Sequence, residues 1–495
     1  MQFNNKIAEL ERALAHAQTY TEWEQLGTEL DALTGLDLWK IDNTSPDYNY
    51  ELIHERLGSL RSLSVSGRVQ PLMRSLREGL YHDLGNMTNP VLYGYARVGT
   101  KKLIEDYVAQ VCTALEQVYN APADALPYHD KLKFFEETAR SFGQPALMLS
   151  GGATLGLFHI GVCKALHEQG LLPKVISGSS AGAIMAAMVG SHTDEELEAM
   201  YEGEGWYSDA WRGNGIMNGL AGRGFFDQRQ LETFLRRNIG EYSFEEAFAR
   251  TGRHVNVTVS PIHQHQKQRL MNELTSPYLL LWSAVLASCA VPVLFPPVTL
   301  TTKDADGHYV PYMPLKKWVD GSVKGDLPRQ RLARLYNVNY FIAVQVNPHI
   351  VPFMESDRKR LEQRLTSWPR RVLREELKFH GAGLMNFLRS QVTNEAGRQL
   401  LDHGYNIIAQ RYYGDVTIGP RYTLAHYRHV LRDPNKDRWH WFRLQGERAT
   451  WPKISMIRAH SRISQTLTDC VERLQHQQLR RRDDRPVRNL SVVKT

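Results

Sequence analysis

Hydrophobic positions along this chain follow two different rhythms. Up to about residue 125, apolar residues recur three and four places apart, the spacing of amphipathic helices. Residues 6–18 predict one such helix. Thr21-Glu22-Trp23-Glu24 predicts the start of a second, with Thr21 as N-cap and Glu24 as its capping-box partner, running to Leu33 with Gly35 as its stop. Leu103, Ile104, Val108, Val111, Cys112 and Leu115 put a third over residues 101–118. Residues 121–129 hold two prolines and read as a linker, and residues 130–142 as a short helix closed by Gly143 and Pro145.

From residue 146 the rhythm changes to short apolar runs separated by helical stretches, which predicts an α/β fold with a mainly parallel sheet flanked by helices. Strands are expected at residues 146–149, 174–177, 254–259, 298–301, 317–319 and 340–346, with a late strand at 415–420. Helices are expected at 157–169, stopped by Gly170, and at 181–189. Residues 274–302 carry no charge. About twenty apolar residues can span a bilayer, but Pro277, Pro292, Pro296 and Pro297 break this stretch, so a buried core segment is expected. Residues 203–224, rich in glycine and aromatic side chains, suit either a lid or a plain surface loop. Residues 350–410 read as long helices with a basic face, and residues 454–479 as helix before a disordered tail. The expected organisation is a helical N-terminal domain (1–125), the α/β domain (146–425) and a helical extension with a basic tail (426–495).

Composition fits more than one core: 495 residues, 42% hydrophobic with ten tryptophans, suffice for two or three domains. Cys112, Cys163, Cys289 and Cys470 lack metal-ligand spacing and read as buried or idle thiols of a reducing compartment. Residues 1–10 are polar with no signal-peptide core, so a cytoplasmic-side, peripheral location is expected. The net charge of +7 is mild but local: Arg358-Lys359-Arg360, Arg364, Arg370-Arg371, Arg374 and Lys378 crowd one segment, and Arg480-Arg481-Arg482, Arg485 and Arg488 the tail. Such runs suit an anionic lipid surface; a solvated helix face and a disordered tail are the plainer reading. The sequence shows no zinc-finger, RNA-binding or recognition-helix pattern, so no nucleic-acid partner is expected, and no metal or other cofactor.

Candidate chemistry sits in three places. Gly178-Ser179-Ser180-Ala181-Gly182 has the Gly-x-Ser-x-Gly spacing of a nucleophile elbow, between a short strand and a small-residue helix. Upstream, Leu147-Met148-Leu149-Ser150-Gly151-Gly152-Ala153-Thr154-Leu155-Gly156 runs from an apolar strand into a glycine-rich turn and a helix, whose first N–H groups favour negative charge. Downstream, Trp318-Val319 leads into Asp320-Gly321-Ser322, a carboxylate at a strand end. Together they supply a nucleophile, an anion site and a base. Asp306-Gly307 lies in a polar run and is set aside, as is the calcium-loop hint of Asp304-x-Asp306-Gly307. Asp227 has N-cap spacing, His159 is expected to pack in the helix after the glycine loop, and Ser179 to fix the backbone beside Ser180.

These motifs resemble the patatin-like phospholipases and lipases: Gly151-Gly152-x-x-x-Gly156, the elbow from Gly178 to Gly182, Asp320-Gly321, and also Phe158-His159-x-Gly161-Val162-x-Lys164-Ala165-Leu166 and Ser288-Cys289-Ala290-Val291-Pro292-x-x-Phe295-Pro296. Trp23-x-x-x-Gly27-x-x-Leu30-Asp31-x-Leu33-x-Gly35-x-Asp37-x-Trp39-Lys40 and Leu80-Tyr81-x-Asp83-Leu84-Gly85-Asn86 are similar to the helical domain that precedes the core in a subgroup containing fungal and plant lipid-droplet triacylglycerol lipases and bacterial relatives.

The resemblance implies that Ser180 attacks an ester carbonyl, that Asp320 takes its proton without a histidine, and that the N–H groups of Gly151, Gly152 and Ala153 hold the oxyanion. A carboxylate serves as such a base where partial desolvation raises its pKa. Ala153 stands where relatives often have a third glycine, and Ser322 where alanine or glycine is commoner. The implied substrate is a water-insoluble acyl ester, foremost triacylglycerol, with phospholipid hydrolysis or acyl transfer as the alternative. Two other readings remain: an α/β-hydrolase triad of Ser180, Asp320 and His349, and a phosphate-binding module built on the glycine loop without catalysis.

Overall fold

The computed structural model describes residues 2–205, 207, 227–262, 268–292, 294–321, 327–347, 414–420 and 436–483. The glycine-rich loop at 203–224 (apart from its first residues), the basic run at 358–378, most of the basic tail and His349 lie outside them. The chain forms two compact units, one of residues 1–145, 337–340 and 452–495, the other of residues 146–336 and 341–451.

The first unit is helical: Gln2–His16, Tyr20–Leu33, Leu36–Ile41, Tyr50–Ser66, Val69–Gly79, Lys102–Asn120, Tyr128–Phe142 and Ile454–Asp483. Thr19, not Thr21, caps the second helix. Its side chain accepts from the Glu22 N–H at 3.2 Å, and Glu22 accepts from the Gln18 N–H at 2.7 Å. Both threonines have a glutamate three places on. Starting at Tyr20 buries Tyr20, Trp23, Gly27, Leu30 and Asp31 on one face, so burial chooses between them. Asp31 is 1% exposed and accepts from the N–H groups of Arg97 (3.0 Å) and Val98 (3.1 Å) while pairing with Lys40 at 2.9 Å. Lys101, fully buried, donates to the carbonyls of Trp39 (2.8 Å) and Asp42 (2.7 Å). The polar motif residues Asp31, Trp39 and Lys40 thus fasten the chain, because a buried charge is tolerable only when fully hydrogen-bonded.

The main sheet lies mostly within the second unit. Its strands are β1 (Gln144–Leu149), β2 (Val175–Gly178), β3 (His254–Pro261), β4 (Arg269–Met271), β7 (Trp318–Asp320), β8 (Val338–Val344) and β9 (Val416–Ile418), in the order β4-β3-β2-β1-β8-β9, with β7 also on β3. β1–β2, β2–β3 and β8–β9 are parallel; β4 and β7 run antiparallel to β3. The strand expected at 298–301 does not form as such. Val298 makes a single bridge to Trp318, and Thr301–Lys303 (β5) instead pairs with Tyr309–Pro311 (β6) in a separate hairpin. Asp304 closes that hairpin turn by accepting from the N–H groups of Asp306 (3.0 Å) and His308 (2.8 Å). The uncharged stretch 274–302 contains the wholly buried helix Leu281–Ser288, and among the described residues no helix is long and apolar enough to cross a membrane.

After residue 425 the first described helix, Lys436–Thr450, packs on Phe158–Glu168 within the second unit. The contact is made at glycines. A Cβ on Gly161 would lie far inside the Arg443 carbonyl oxygen, and one on Gly446 inside that of Phe158. Around it Lys164 meets Glu202 (2.8 Å) and Arg443 meets Glu447 (3.2 Å). Burial pushes the Glu447 carboxyl up to about 7, against the pull of Lys164 and Arg443. Gly161→Val is therefore expected to destabilise by about 3 kcal/mol or more, a fall of roughly 6 °C in the thermal midpoint. Gly58→Ala, at an exposed helical site with open space around its Cβ, should be neutral or stabilising. Equal midpoints for Gly161→Val and wild type in a thermal melt would refute the close helix contact.

Candidate active site

Strand pairing brings the elbow and the aspartate together. Val257 of β3 pairs with Gly178 of β2 and with Met271 of β4; Val259 pairs with Arg269 of β4 and with Asp320 of β7. A strand has two edges, so β4 takes one and β2 and β7 share the other, end to end. Val257 and Val259 are about 7 Å apart along a strand. Asp320 is therefore seated beside the point where β2 ends and the chain turns into the elbow.

The turn itself is strained. Ser180 has φ 49° and ψ −119°, a region that non-glycine residues rarely enter. Its surroundings hold it there. The Ser180 N–H donates to Ser288 Oγ at 2.9 Å, the Ser180 carbonyl accepts from Ala183 N at 2.9 Å, and the Ser179 N–H donates to the Leu149 carbonyl at 3.1 Å. Ser179 points away, its buried hydroxyl hydrogen-bonded to that of Thr258. Ser180 is half-buried and begins the helix Ala181–Ser191. Gly178 and Gly182 let the strand and helix fold back on each other: a Cβ on Gly178 would overlap the Gly182 carbonyl, and one on Gly182 the Leu149 carbonyl.

The glycine loop lies against the same turn. A Cβ on Gly156 would come within 2.5 Å of Ala181 Cβ, so glycine is what lets the loop touch the first turn of the elbow helix. A Cβ on Gly152 would meet Val346 Cγ2 at 2.6 Å. Ala153 has φ 50°, the left-handed region where glycine is free of strain and alanine pays about 1 kcal/mol. That accounts for the third glycine common in the resembled motif. The loop is anchored from beneath: the Val346 N–H donates to Ser150 Oγ at 2.9 Å, and His159 Nε2 to the Ser150 carbonyl at 2.9 Å. Since a carbonyl only accepts, Nε2 carries the proton. Burial holds the His159 pKa down, to about 4, so the ring is neutral at pH 7. His159 packs in its helix as expected, and it also pins the peptide that carries the Gly151 N–H.

Asp320 is 1% exposed, and its own N–H donates to the Ala290 carbonyl at 3.0 Å. Gly321 follows where a Cβ would strike the Thr258 carbonyl. Ser288 and Cys289 complete the site and were missed as functional positions. The Cys289 thiol is buried, one of the two outcomes expected for the cysteines. It is buried against both chemical groups: burial, then the Asp320 charge, raises its pKa, while a hydrogen bond with Ser180 opposes the rise. The sole sequence signal for these two was their place in the Ser-Cys-Ala-Val-Pro segment. Asp227 caps the helix Gln228–Ile239 by accepting from Arg229 N at 3.0 Å, away from this chemistry in role.

Residues 147–333 match the family described as patatin-like phospholipase, and residues 1–140 the domain of unknown function DUF3336. Triacylglycerol lipase SDP1L of Arabidopsis thaliana is 34% identical over 93% of this chain and 58% of its own length. Triacylglycerol lipase 4 of Saccharomyces cerevisiae is 35% identical over 90% of this chain and 51% of its own. Triacylglycerol lipase ptl3 of Schizosaccharomyces pombe is 33% identical over 94% of this chain and 98% of its own. The chain thus spans little more than half the length of the first two of these curated relatives. With matches of this extent, the chain belongs to the patatin-like phospholipase family, in a form that carries the DUF3336 domain ahead of the patatin core.

Proposed function

We propose that this protein is a lipid acyl hydrolase with a serine–aspartate dyad, acting foremost on triacylglycerol. The observation that supports the reading is the end-to-end placement of β2 and β7 on one edge of β3, with Asp320 at the end of β7 that faces the turn after Gly178. Ser180 Oγ attacks the ester carbonyl as Asp320 accepts its proton. The N–H groups of Gly151, Gly152 and Ala153 stabilise the oxyanion, aided by the N-terminal end of the helical segment behind them. Collapse of the tetrahedral intermediate breaks the ester C–O bond. The alcohol leaves with the proton from Asp320, and the acyl group stays on Ser180. Water, deprotonated by Asp320, then attacks the acyl-serine, and the fatty acid departs as Ser180 regains its proton. Peripheral contact with an anionic membrane or lipid-droplet surface belongs to the same reading. His349, the third member of the alternative triad, lies outside the described residues.

Triacylglycerol is favoured because all three relatives above are named triacylglycerol lipases and match through both the N-terminal domain and the core. Purified protein assayed on emulsified triacylglycerol and on phosphatidylcholine should release fatty acid from the first at the higher kcat/KM. A clear preference for phosphatidylcholine would replace the substrate while keeping the chemistry.

A further inference from the structure

Just ahead of the strand that carries Asp320, the chain makes an unusual surface turn. Met313 sits at φ 50°, and the Lys316 N–H closes back on its carbonyl at 2.8 Å. The turn pushes Leu315 outward until it is 97% exposed. Met313 is 36% exposed, and Ile262, tied to this segment by its N–H to the Lys317 carbonyl at 3.2 Å, is 44% exposed. Leaving three large apolar side chains together in water has a cost, and such groups mark contact sites more often than chance.

Among the described residues, four cations lie beside them. Lys316 and Lys317 follow Leu315, and Lys317 Nζ donates to a hydroxyl, Thr299 Oγ1, at 2.6 Å. Arg269 lies against Met313 Sδ at 3.7 Å, and Arg331 donates to the Gln268 carbonyl at 2.6 Å. Among the described residues none of these four forms an ion pair, although carboxylates neutralise many other cations of the unit. Arg331 is also close enough to Arg269 for the like charge, added to burial, to lower its pKa. Unneutralised like charges around exposed apolar groups are unfavourable in water and favourable at a surface offering anionic headgroups above an apolar layer.

We infer that the Met313–Lys317 turn, with Ile262, Arg269 and Arg331, is the surface by which this protein docks on an anionic phospholipid layer. It rests on the lipid reading above and gives it a place. Pro261 and Trp318 are paired across β3 and β7, so the turn adjoins the end of β3 beyond the elbow, about 10 Å along β7 from Asp320. Leu315 and Met313 enter the acyl boundary while the lysines and arginines contact phosphate. Binding here brings a water-insoluble ester to the end of the sheet that holds Ser180.

The deciding measurement is co-sedimentation of the full chain with phosphatidylcholine vesicles and with vesicles that also contain phosphatidylserine. Wild type should bind the mixed vesicles, more weakly as salt rises, and the neutral ones little. Leu315→Asp with Lys316→Glu and Lys317→Glu should weaken binding at least about tenfold, since each basic residue near such a surface contributes on the order of 1 kcal/mol. Hydrolysis of a dissolved short-chain nitrophenyl ester should stay within about twofold, with the thermal midpoint kept. If that triple change impairs folding, Leu315→Ser with Lys316→Gln carries the comparison, and Lys316→Arg with Lys317→Arg should bind like wild type. Undiminished vesicle binding in these variants overturns the proposal. So does binding that ignores charge, or preference for an acidic polypeptide over vesicles. Vesicle binding without hydrolysis of any ester would instead refute the enzymatic reading and leave the surface standing.

Discussion

Ser180→Ala is expected to lower kcat/KM for ester hydrolysis roughly 10³-fold or more, with the fold intact. The change removes one hydroxyl from a half-buried position. The bonds that hold the turn are made by the main chain: Ser180 N–H to Ser288 Oγ, and Ser180 carbonyl to Ala183 N. Alanine can keep both. It also meets the same backbone strain at φ 49°, so stability should change by less than about 1 kcal/mol. Ser179→Ala is the matched comparison. Ser179 is wholly buried and bonded to Thr258, so its loss should cost stability, about 1 kcal/mol, with far less effect on rate. Rates on a soluble ester, with thermal melts of all three proteins, separate the two serines. Retained activity in Ser180→Ala would end the dyad mechanism.

Asp320→Asn should be nearly as damaging, lowering kcat on the order of 10²–10⁴-fold with little change in KM. Asparagine keeps the shape of a side chain that is 1% exposed, and the main-chain bond to Ala290 survives. What disappears is the proton acceptor. Because Asp320 serves both acylation and deacylation in the proposed cycle, slow turnover should come without a burst of the leaving alcohol. The rival triad gives a different pattern. There the aspartate only orients His349, and His349→Ala should match Asp320→Asn. Under the dyad, His349→Ala keeps its rate. Parallel kcat measurements on the two variants decide between one base and a relay.

The parts of the site that could be read from the sequence are those set by a few adjacent residues. Gly178, Ser180 and Gly182 announce a turn that side chains would block, and Gly151, Gly152 and Gly156 a loop that must approach other backbone closely. Where competing local signals were equal, sequence could not choose. Thr19 and Thr21 both precede a glutamate by three, and burial of Tyr20 and Trp23 decided for Thr19. The apolar run at 298–301 reads as strand, yet its available partner was the hairpin strand Tyr309–Pro311, which takes Thr301–Lys303 instead.

By itself, then, the sequence determined the kinds of group available for chemistry, the helical and α/β halves of the chain, and the two glycine-dependent turns, because backbone sterics act over neighbouring residues. Tertiary structure alone decided which groups meet. Gly178 and Asp320 are brought near each other by pairing with Val257 and Val259 of a third strand. Ser288 and Cys289 reach Ser180 from a buried helix end. Gly161 and Gly446 matter only because their helices touch. Contacts between distant segments are fixed by burial and strand pairing across the whole unit, and nothing in a local run of residues records the partner.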